Sequence, residues 1–350
     1  MNQIIFDDMK EVFSRSDFSK QLFGKRVLVT GAYGMLASYF VFYLIFLNET
    51  QNQESIEIYA VGRSYEKMNS RFGEYIDRPY FHSIENDLST IDLDLPEVDY
   101  IIHAASPASS EFYATNPIGV VTPNVIGTWG LLELAKRSNC KSMLFVSSGE
   151  VYGKADLDSI KEDEFGPSNP LDIRYCYGES KRMGECLCKC YNHQWNVPVK
   201  MVRLGHTYGP TMNIDHDKRV YAEFTGNIVR NENILIKSSG KSMRAFCYSA
   251  DALDGFLRIL LCGKNGESYN LSNASALISI SDLAEILVRL FPDKNLCVEY
   301  GSRNKDEAYI ESAQAKHAVP DSTKLQELGW ECRYDVAEGF RRSVLSFIGN

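Results

Sequence analysis

Apolar positions in the first stretch of the chain recur at Ile5, Met9, Val12 and Phe13. Steps of i, i+4, i+7 and i+8 put them on one helix face, so residues 1–23 read as a helical N-terminal extension. Gly24-Lys25 punctuates, and short apolar runs then alternate with helical periods. Val27-Leu28-Val29 reads as a strand, the glycine-rich residues 31–34 as a turn, and residues 35–47 as a helix. Further strands are expected at 56–61, 98–102, 142–146 and 199–202. Helical stretches are expected at 124–138 and around 177–194. Short apolar strands between helices are buried on both faces, which predicts an α/β fold with a doubly wound parallel sheet over residues 24–204.

From about residue 205 the pattern loosens. Turn-rich segments such as Tyr208-Gly209-Pro210 and Ser238-Ser239-Gly240 interrupt short elements, and helices are expected at 281–291 and 321–328. Residues 205–350 therefore read mostly as a smaller substrate-binding lobe, with a cleft where the strands end. The longest apolar run, residues 39–47, is about half of what a membrane span needs, so a buried helix is expected there. No basic n-region and apolar h-region open the chain, and the expected location is cytoplasmic.

With 350 residues, 44% of them hydrophobic, the chain can bury a large core. Its formal net charge of −9 speaks against a duplex nucleic-acid binder, so an anionic ligand must be held by a few placed cations. Nine cysteines, odd in number and irregularly spaced, read as reduced thiols. Cys186, Cys188 and Cys190 fall in a helical pattern whose i and i+2 positions diverge, so no metal site is expected.

Chemistry enters with Thr30-Gly31-Ala32-Tyr33-Gly34-Met35-Leu36-Ala37. Strand, glycine turn and helix start form a Rossmann-type phosphate loop. Gly31 permits the tight turn and Gly34 the close approach of backbone to phosphate. Small Ala37 lets the helix pack on the strand, and the peptide groups through Tyr33, Met35 and Leu36 face a pyrophosphate. The spacing is GxxGxxA. At the end of the second strand, where an acidic ribose reader usually sits, the chain has Val61-Gly62-Arg63-Ser64. Arg63 there faces a 2′-phosphate, stacks on adenine, or is simply solvated. Asp87-Leu88 is placed either to reach the adenine amino group or to cap a turn.

Tyr177-Gly178-Glu179-Ser180-Lys181 gives YxxxK. On a helix, i and i+4 share a face, and a lysine ammonium beside a phenol, together with a positive nicotinamide ring, is expected to draw its pKa from about 10 toward neutrality. The result is a general base for a sugar hydroxyl. The motif follows a strand ending Ser147-Ser148-Gly149-Glu150-Val151-Tyr152-Gly153.

The glycine turn, this strand end and the YxxxK helix together resemble the extended short-chain dehydrogenase/reductases, the NAD-dependent epimerase/dehydratase family. The resemblance covers about residues 25–345. Within the family the chain is most similar to UDP-glucuronate decarboxylases. Three segments carry that likeness: His103-Ala104-Ala105-Ser106-Pro107-Ala108-Ser109 with Tyr113 and Asn116-Pro117; Arg174-Tyr175-Cys176-Tyr177-Gly178-Glu179-Ser180-Lys181-Arg182; and Arg244-Ala245-Phe246-Cys247-Tyr248 with Asp251.

The resemblance implies a bound NAD, with NADP kept open by Arg63, that takes a hydride from C4 of a nucleotide sugar and returns it. Tyr177, assisted by Lys181, takes the proton of the 4-hydroxyl, and Ser148 hydrogen-bonds that hydroxyl. Glu150 and Arg244 flank the C5 carboxylate. Ala104, Ala105 and Ser106 line the cofactor. Pro107, His206, Arg219, Arg244 and Tyr248 line the substrate. A homodimer through the helices around Trp129–Leu134 and Met183–Tyr191 is implied as well.

The sequence also departs from the family. Gly149 stands where 4,6-dehydratases carry an acid, which disfavours dehydration. His206 replaces an asparagine, and a basic pair near Lys316-His317 is only partly present. A 4-epimerase or atypical dehydratase is the nearest alternative. A non-catalytic dinucleotide sensor would have no use for Ser148, Tyr177 and Lys181.

Overall fold

The structure, a computed structural model, describes residues 1–15, 17–108, 110–155, 157–301 and 318–349. Helix α1 (Gln3–Ser14) leads into a 3-10 turn (Phe18–Leu22). Strand β1 (Arg26–Thr30), helix α2 (Met35–Thr50), strand β2 (Glu57–Gly62), helix α3 (Tyr65–Phe72), and strands β3 (Phe81–Glu85) and β4 (Tyr100–His103) follow. Two short helices, α4 (Ser110–Thr115) and α5 (Pro117–Thr122), then run through a π turn into α6 (Thr128–Arg137). Next come β5 (Ser142–Ser148), the short β6 (Ser159–Ile160), α7 (Cys176–Trp195), β7 (Val199–Leu204) and β8 (His206–Tyr208). The rest holds α8 (Val220–Arg230), β9 (Ile234–Ile236), β10 (Met243–Tyr248), α9 (Ser249–Cys262), β11 (Ser268–Leu271), β12 (Leu277–Ser279) and α10 (Ile280–Leu290). Strands β13 (Val298–Tyr300) and β14 (Val319–Pro320) precede a one-turn helix (Thr323–Gln326) and the C-terminal helix Val336–Ile348.

Seven strands form one sheet in the order β11-β7-β5-β4-β1-β2-β3, with every pairing parallel. This is the Rossmann-type, doubly wound sheet the alternation predicted. Alternate residues of β1 serve opposite faces. Val27 and Val29 join the core with α2 and α9, while Leu28 joins the core with α6 and α7. Helix α2 is buried on every side from Ala37 to Leu47, which accounts for its unbroken apolar run.

Beyond residue 205, β10 pairs with β8 and β12 in a separate three-stranded sheet. Strand β11 returns to the edge of the large sheet beside β7. Among the described residues one helical run, Pro117–Arg137, is long and apolar enough to cross a membrane, and 56% of its apolar 18-residue window is buried in the fold.

The N-terminal extension packs α1 against α2, α9 and the C-terminal helix. Its inner face carries more than the apolar stripe. Asp8 is fully buried, where it accepts hydrogen bonds from Tyr39, Tyr248 and Arg342. Arg15 pairs with the buried Asp251 at 2.9 Å. Asp251 also accepts the peptide N–H groups of Arg333 and Tyr334, so this carboxylate ties the N-terminal extension to the chain entering the C-terminal helix.

Candidate active site at the strand ends

Gly31 follows β1 with φ +65°, in the left-handed region. A Cβ there would sit 2.8 Å from the Ala105 Cα, so only glycine lets the two loops close on each other. The Gly34 N–H donates to the Gly31 carbonyl at 2.7 Å, and α2 begins at the next residue with no side chain capping it. The first-turn N–H groups at Met35 and Leu36 therefore point into the cleft unclaimed by a cap. Thr30 Oγ1 contacts His103 Nδ1 at 2.8 Å and accepts the Ala105 N–H at 3.3 Å, which draws the ends of β1 and β4 together. Among the described residues the buried Ser106 hydroxyl has no partner. An orphaned hydroxyl beside Ala104 and Ala105, facing a glycine turn and an uncapped helix, fits a bound dinucleotide.

Tyr33 folds over the end of β2, where a Cβ on Gly62 would lie 2.6 Å from its ring. Arg63 is exposed just beyond. Asp87 accepts the Ser89 N–H at 3.0 Å and its hydroxyl at 2.6 Å, and those bonds hold its carboxyl below the usual range. This is the turn-capping alternative. Leu88 is buried, and its Cβ lies 3.0 Å from where a Cβ on Gly127 would be, so its side chain packs in the core.

Helix α7 carries Tyr177 and Lys181 on one buried face. Lys181 Nζ is 5.8 Å from the Tyr177 ring centroid, 4.8 Å from that of Phe145, and donates to the Val146 carbonyl at 2.7 Å. The predicted neighbourhood is present, and in the protein itself, before any contribution from a nicotinamide ring, burial outweighs the downward pull expected on the phenol. Burial pushes Tyr177 up to about 12, opposed by the hydrogen bond with Ser148 and by the charge of Arg219. Burial also pushes Lys181 down to about 7. Withdrawal from water acts on both groups more strongly than their mutual proximity does. Ser148 ends β5 and accepts the Glu150 N–H at 3.2 Å, so the strand end fixes Ser148 and Glu150 together.

Glu150 is 4.0 Å from Arg174 Nη1. Arg244, half-buried on β10, is pushed down by burial, and the Glu150 charge opposes that shift. Arg219 is held by Asp217 through contacts at 2.6 and 2.9 Å and stands 5.0 Å over the Tyr221 ring. Pro107 is half-buried after Ser106, and exposed His206 lies on β8 opposite Phe246 in register. Two residues of the site had no role read from sequence. Tyr113 stacks on Tyr177 with centroids 5.1 Å apart and planes 12° off parallel, and Arg174 lies 5.9 Å over Tyr113. The one sequence signal for Arg174 was its place three residues ahead of Tyr177.

Tyr248 is a correction. It was expected on the substrate, but it is fully buried and its hydroxyl donates to Asp8 at 2.6 Å. Side chains alternate along β10, and the face carrying Tyr248 passes from the cleft at Arg244 into the interior four residues later. Tyr248→Phe should lower stability by about 1–3 kcal/mol in a denaturant titration, the usual cost of losing a bond to a buried charged group. Substrate KM should not move, and a raised KM at unchanged stability would return the hydroxyl to the cleft. The basic pair near Lys316-His317 lies outside the described residues.

The profile of the NAD dependent epimerase/dehydratase family matches residues 27–272. UDP-glucuronic acid decarboxylase 5 of Arabidopsis thaliana is 32% identical over 315 residues, covering 90% of this chain and 86% of the relative. Among solved structures, UDP-glucose 4-epimerase of Thermotoga maritima with UDP-glucose superposes with TM-score 0.75 at 23% identity, covering 92% of this chain and 98% of its own. UDP-glucuronic acid 4-epimerase of Bacillus cereus in complex with NAD gives TM-score 0.73 at 21% identity, covering 92% and 96%. These two share the fold, and the sequence match reaches further. The glycine turn, the Ser148–Tyr177–Lys181 constellation and the matched stretch agree: the chain belongs to the NAD-dependent epimerase/dehydratase family.

Proposed function

We propose that this protein decarboxylates an NDP-hexuronate, of the UDP-glucuronate kind, to an NDP-pentose. The observation that carries the reading is the group beside Tyr177. Glu150 lies 4.0 Å from Arg174 and its charge acts on Arg244, a grouping suited to a carboxylate on C5. Gly31, Gly34, Met35, Leu36 and Ala104 to Ser106 would hold NAD, which when bound would supply the hydride acceptor for C4 and the source of the returning hydride. Tyr177 takes the proton of the 4-hydroxyl, and Ser148 holds that hydroxyl in line. With C4 a ketone, the C5 carboxylate is a β-keto acid. Its C–C bond breaks, the electron pair moves into an enolate, and CO₂ leaves. Arg244 orients the carboxylate for that cleavage. Glu150 orients the sugar and assists return of a proton to C5.

Incubation with UDP-glucuronate should release CO₂ and yield a UDP-pentose by mass spectrometry. If uronates are ignored while a neutral NDP-hexose is epimerised or dehydrated, the reading gives way to a 4-epimerase or atypical dehydratase.

We further propose a homodimer through α6 and α7. Leu131, Leu132 and Tyr191 pack inward, but Trp129 and Met183 remain 40% and 49% exposed on neighbouring helices. Large apolar side chains on two adjacent helices suit an isologous contact. Light scattering should give twice the 39.6 kDa chain mass, and a monomer at micromolar concentration would contradict it.

A further inference from the structure

Among the described residues Lys181 makes one hydrogen bond, to the Val146 carbonyl at 2.7 Å, and no ion pair. It is 2% exposed, so little water reaches its charge. A buried ammonium without a counter-charge gives up its proton. The carboxylate nearest along the helix comes from the next turn. Glu185 follows Lys181 by four residues on α7, so the two side chains share a helix face. They dock on consecutive residues of β5: Lys181 on the Val146 carbonyl, and Glu185 on Ser147, whose hydroxyl donates to Oε1 at 2.6 Å.

Glu185 is held firmly where it is. Its side chain is 11% exposed, and Arg203 of β7 grips both oxygens, Nη2 to Oε2 at 2.7 Å and Nε to Oε1 at 3.0 Å. Ser147 and Arg203 are register partners in the β5–β7 pairing. Arg203 also donates to the Glu162 carbonyl at 2.8 Å and to the Tyr152 hydroxyl at 3.1 Å. Two strands thus seat this carboxylate one helical turn from the ammonium.

The other titratable groups around Lys181 offer it no negative charge at neutral pH. Burial holds Tyr177 up to about 12 and the Cys188 thiol well above its usual range, and it pushes His103 of β4 down to about 3. Burial works against the Arg203 charge, but the bond with Glu185 holds that guanidinium above its usual range. Lys181 itself is pushed down to about 7 by burial, and the Glu185 charge leads the influences that oppose this.

We propose that Glu185 is a positioning residue for the C4 step: its carboxylate, anchored by Arg203 and Ser147, supplies the counter-charge that keeps the buried Lys181 ammonium beside Tyr177. The inference rests on the reading of Tyr177 and Lys181 as the pair that oxidises C4, and it holds whether decarboxylation or epimerisation follows.

The test is stopped-flow nicotinamide reduction by UDP-glucuronate in the NAD-loaded protein between about pH 5 and pH 9, for wild type, Glu185→Gln, Glu185→Asp and Ser147→Ala. In wild type the rising profile should bend to a shallower slope near pH 7, where Lys181 gives up its proton. Glu185→Gln should move that bend down by about 1–2 pH units, the scale for removing one opposite charge nearby. Glu185→Asp keeps the charge on a shorter stem and should return the bend most of the way, even with a melting temperature lowered by the lost fit to Arg203. Ser147→Ala keeps the carboxylate and should lower the melting temperature with the bend unmoved. A bend at the wild-type pH in Glu185→Gln, or a bend in Glu185→Asp that follows Glu185→Gln, makes Glu185 purely structural and overturns the inference. Should Glu185→Gln fail to fold because buried Arg203 is left unpaired, the double variant Glu185→Gln/Arg203→Gln removes both charges together. Its bend should still fall, since it is Glu185 whose charge acts on Lys181, and an unmoved bend overturns the inference equally. Wild-type protein that shows no nicotinamide reduction with UDP-glucuronate or UDP-glucose would sink the underlying reading itself, a failure visible before any variant is made.

Discussion

Tyr177→Phe is expected to keep the fold and dinucleotide binding while C4 oxidation falls by about 10²–10⁴-fold, the usual cost of removing a general base. The ring makes the packing contacts: it stacks on Tyr113 and shares a buried cluster with Val120, and phenylalanine preserves both. Only the proton acceptor is lost. The pH dependence supplies a second check. Burial holds the phenol up to about 12, so in the free enzyme the reactive phenolate is a minority species at neutral pH. The oxidation rate should therefore climb as pH rises through 7 to 9 and not level off below it. Lys181 works against this climb, because its ammonium, pushed down to about 7, is lost over the same range. The slope should thus be shallower than a single titrating phenol would give. Stopped-flow absorbance of the reduced nicotinamide measures both effects. A variant with near-normal oxidation, or a rate already flat at pH 6, would assign the base to another group.

The same two residues show how far sequence reading reaches. Their four-residue spacing on a helix fixes their proximity, and that was legible. Their pKa values depend on how much water the finished fold removes, and no local spacing carries that. The β1 strand, glycine turn and α2 were legible for a related reason: a tight turn with φ above zero needs Gly31, and a helix buried on all sides needs an unbroken apolar run. Helix α9 went unread from its opposite character. It is buried almost throughout, yet Asp251, Asp254 and Arg258 interrupt its apolar run, so it shows neither a clean stripe nor an unbroken run. Those charges are tolerated because Arg15 on the N-terminal extension and Arg258 itself pair with the carboxylates. Sequence cannot announce such pairing across more than two hundred residues. Tyr248 failed for the same reason, since its partner Asp8 comes from the far end of the chain. Arg174 was visible only as a letter in a motif, and its meaning lies in the contacts with Glu150 and Tyr113.

Arg244→Ala should slow CO₂ release from UDP-glucuronate by on the order of 10²–10³-fold, the scale for removing one group that stabilises charge at the reacting centre. C4 oxidation should be affected far less, because Tyr177, Lys181 and Ser148 belong to α7 and the end of β5, whereas Arg244 belongs to β10. The two steps are then uncoupled, and the 4-keto uronate should accumulate with the nicotinamide reduced. Glu150→Gln probes the neighbouring group. It keeps size and hydrogen bonding but removes the charge that faces Arg174 and acts on Arg244. It should slow return of the proton to C5 and leave Tyr177 slightly easier to ionise, since the Glu150 charge contributes to holding that phenol up. C4 oxidation in Glu150→Gln should therefore be unchanged or modestly faster while pentose formation drops. The opposite partition, with oxidation lost and decarboxylation of a supplied 4-keto uronate intact, would place Glu150 in the C4 step. Loss of both steps together in Arg244→Ala, with the melting temperature unchanged, would make Arg244 a general substrate anchor. In that case Gly149 still argues against dehydration, since no acid stands there to protonate a departing 6-hydroxyl, and C4 epimerisation becomes the reaction that the remaining residues support.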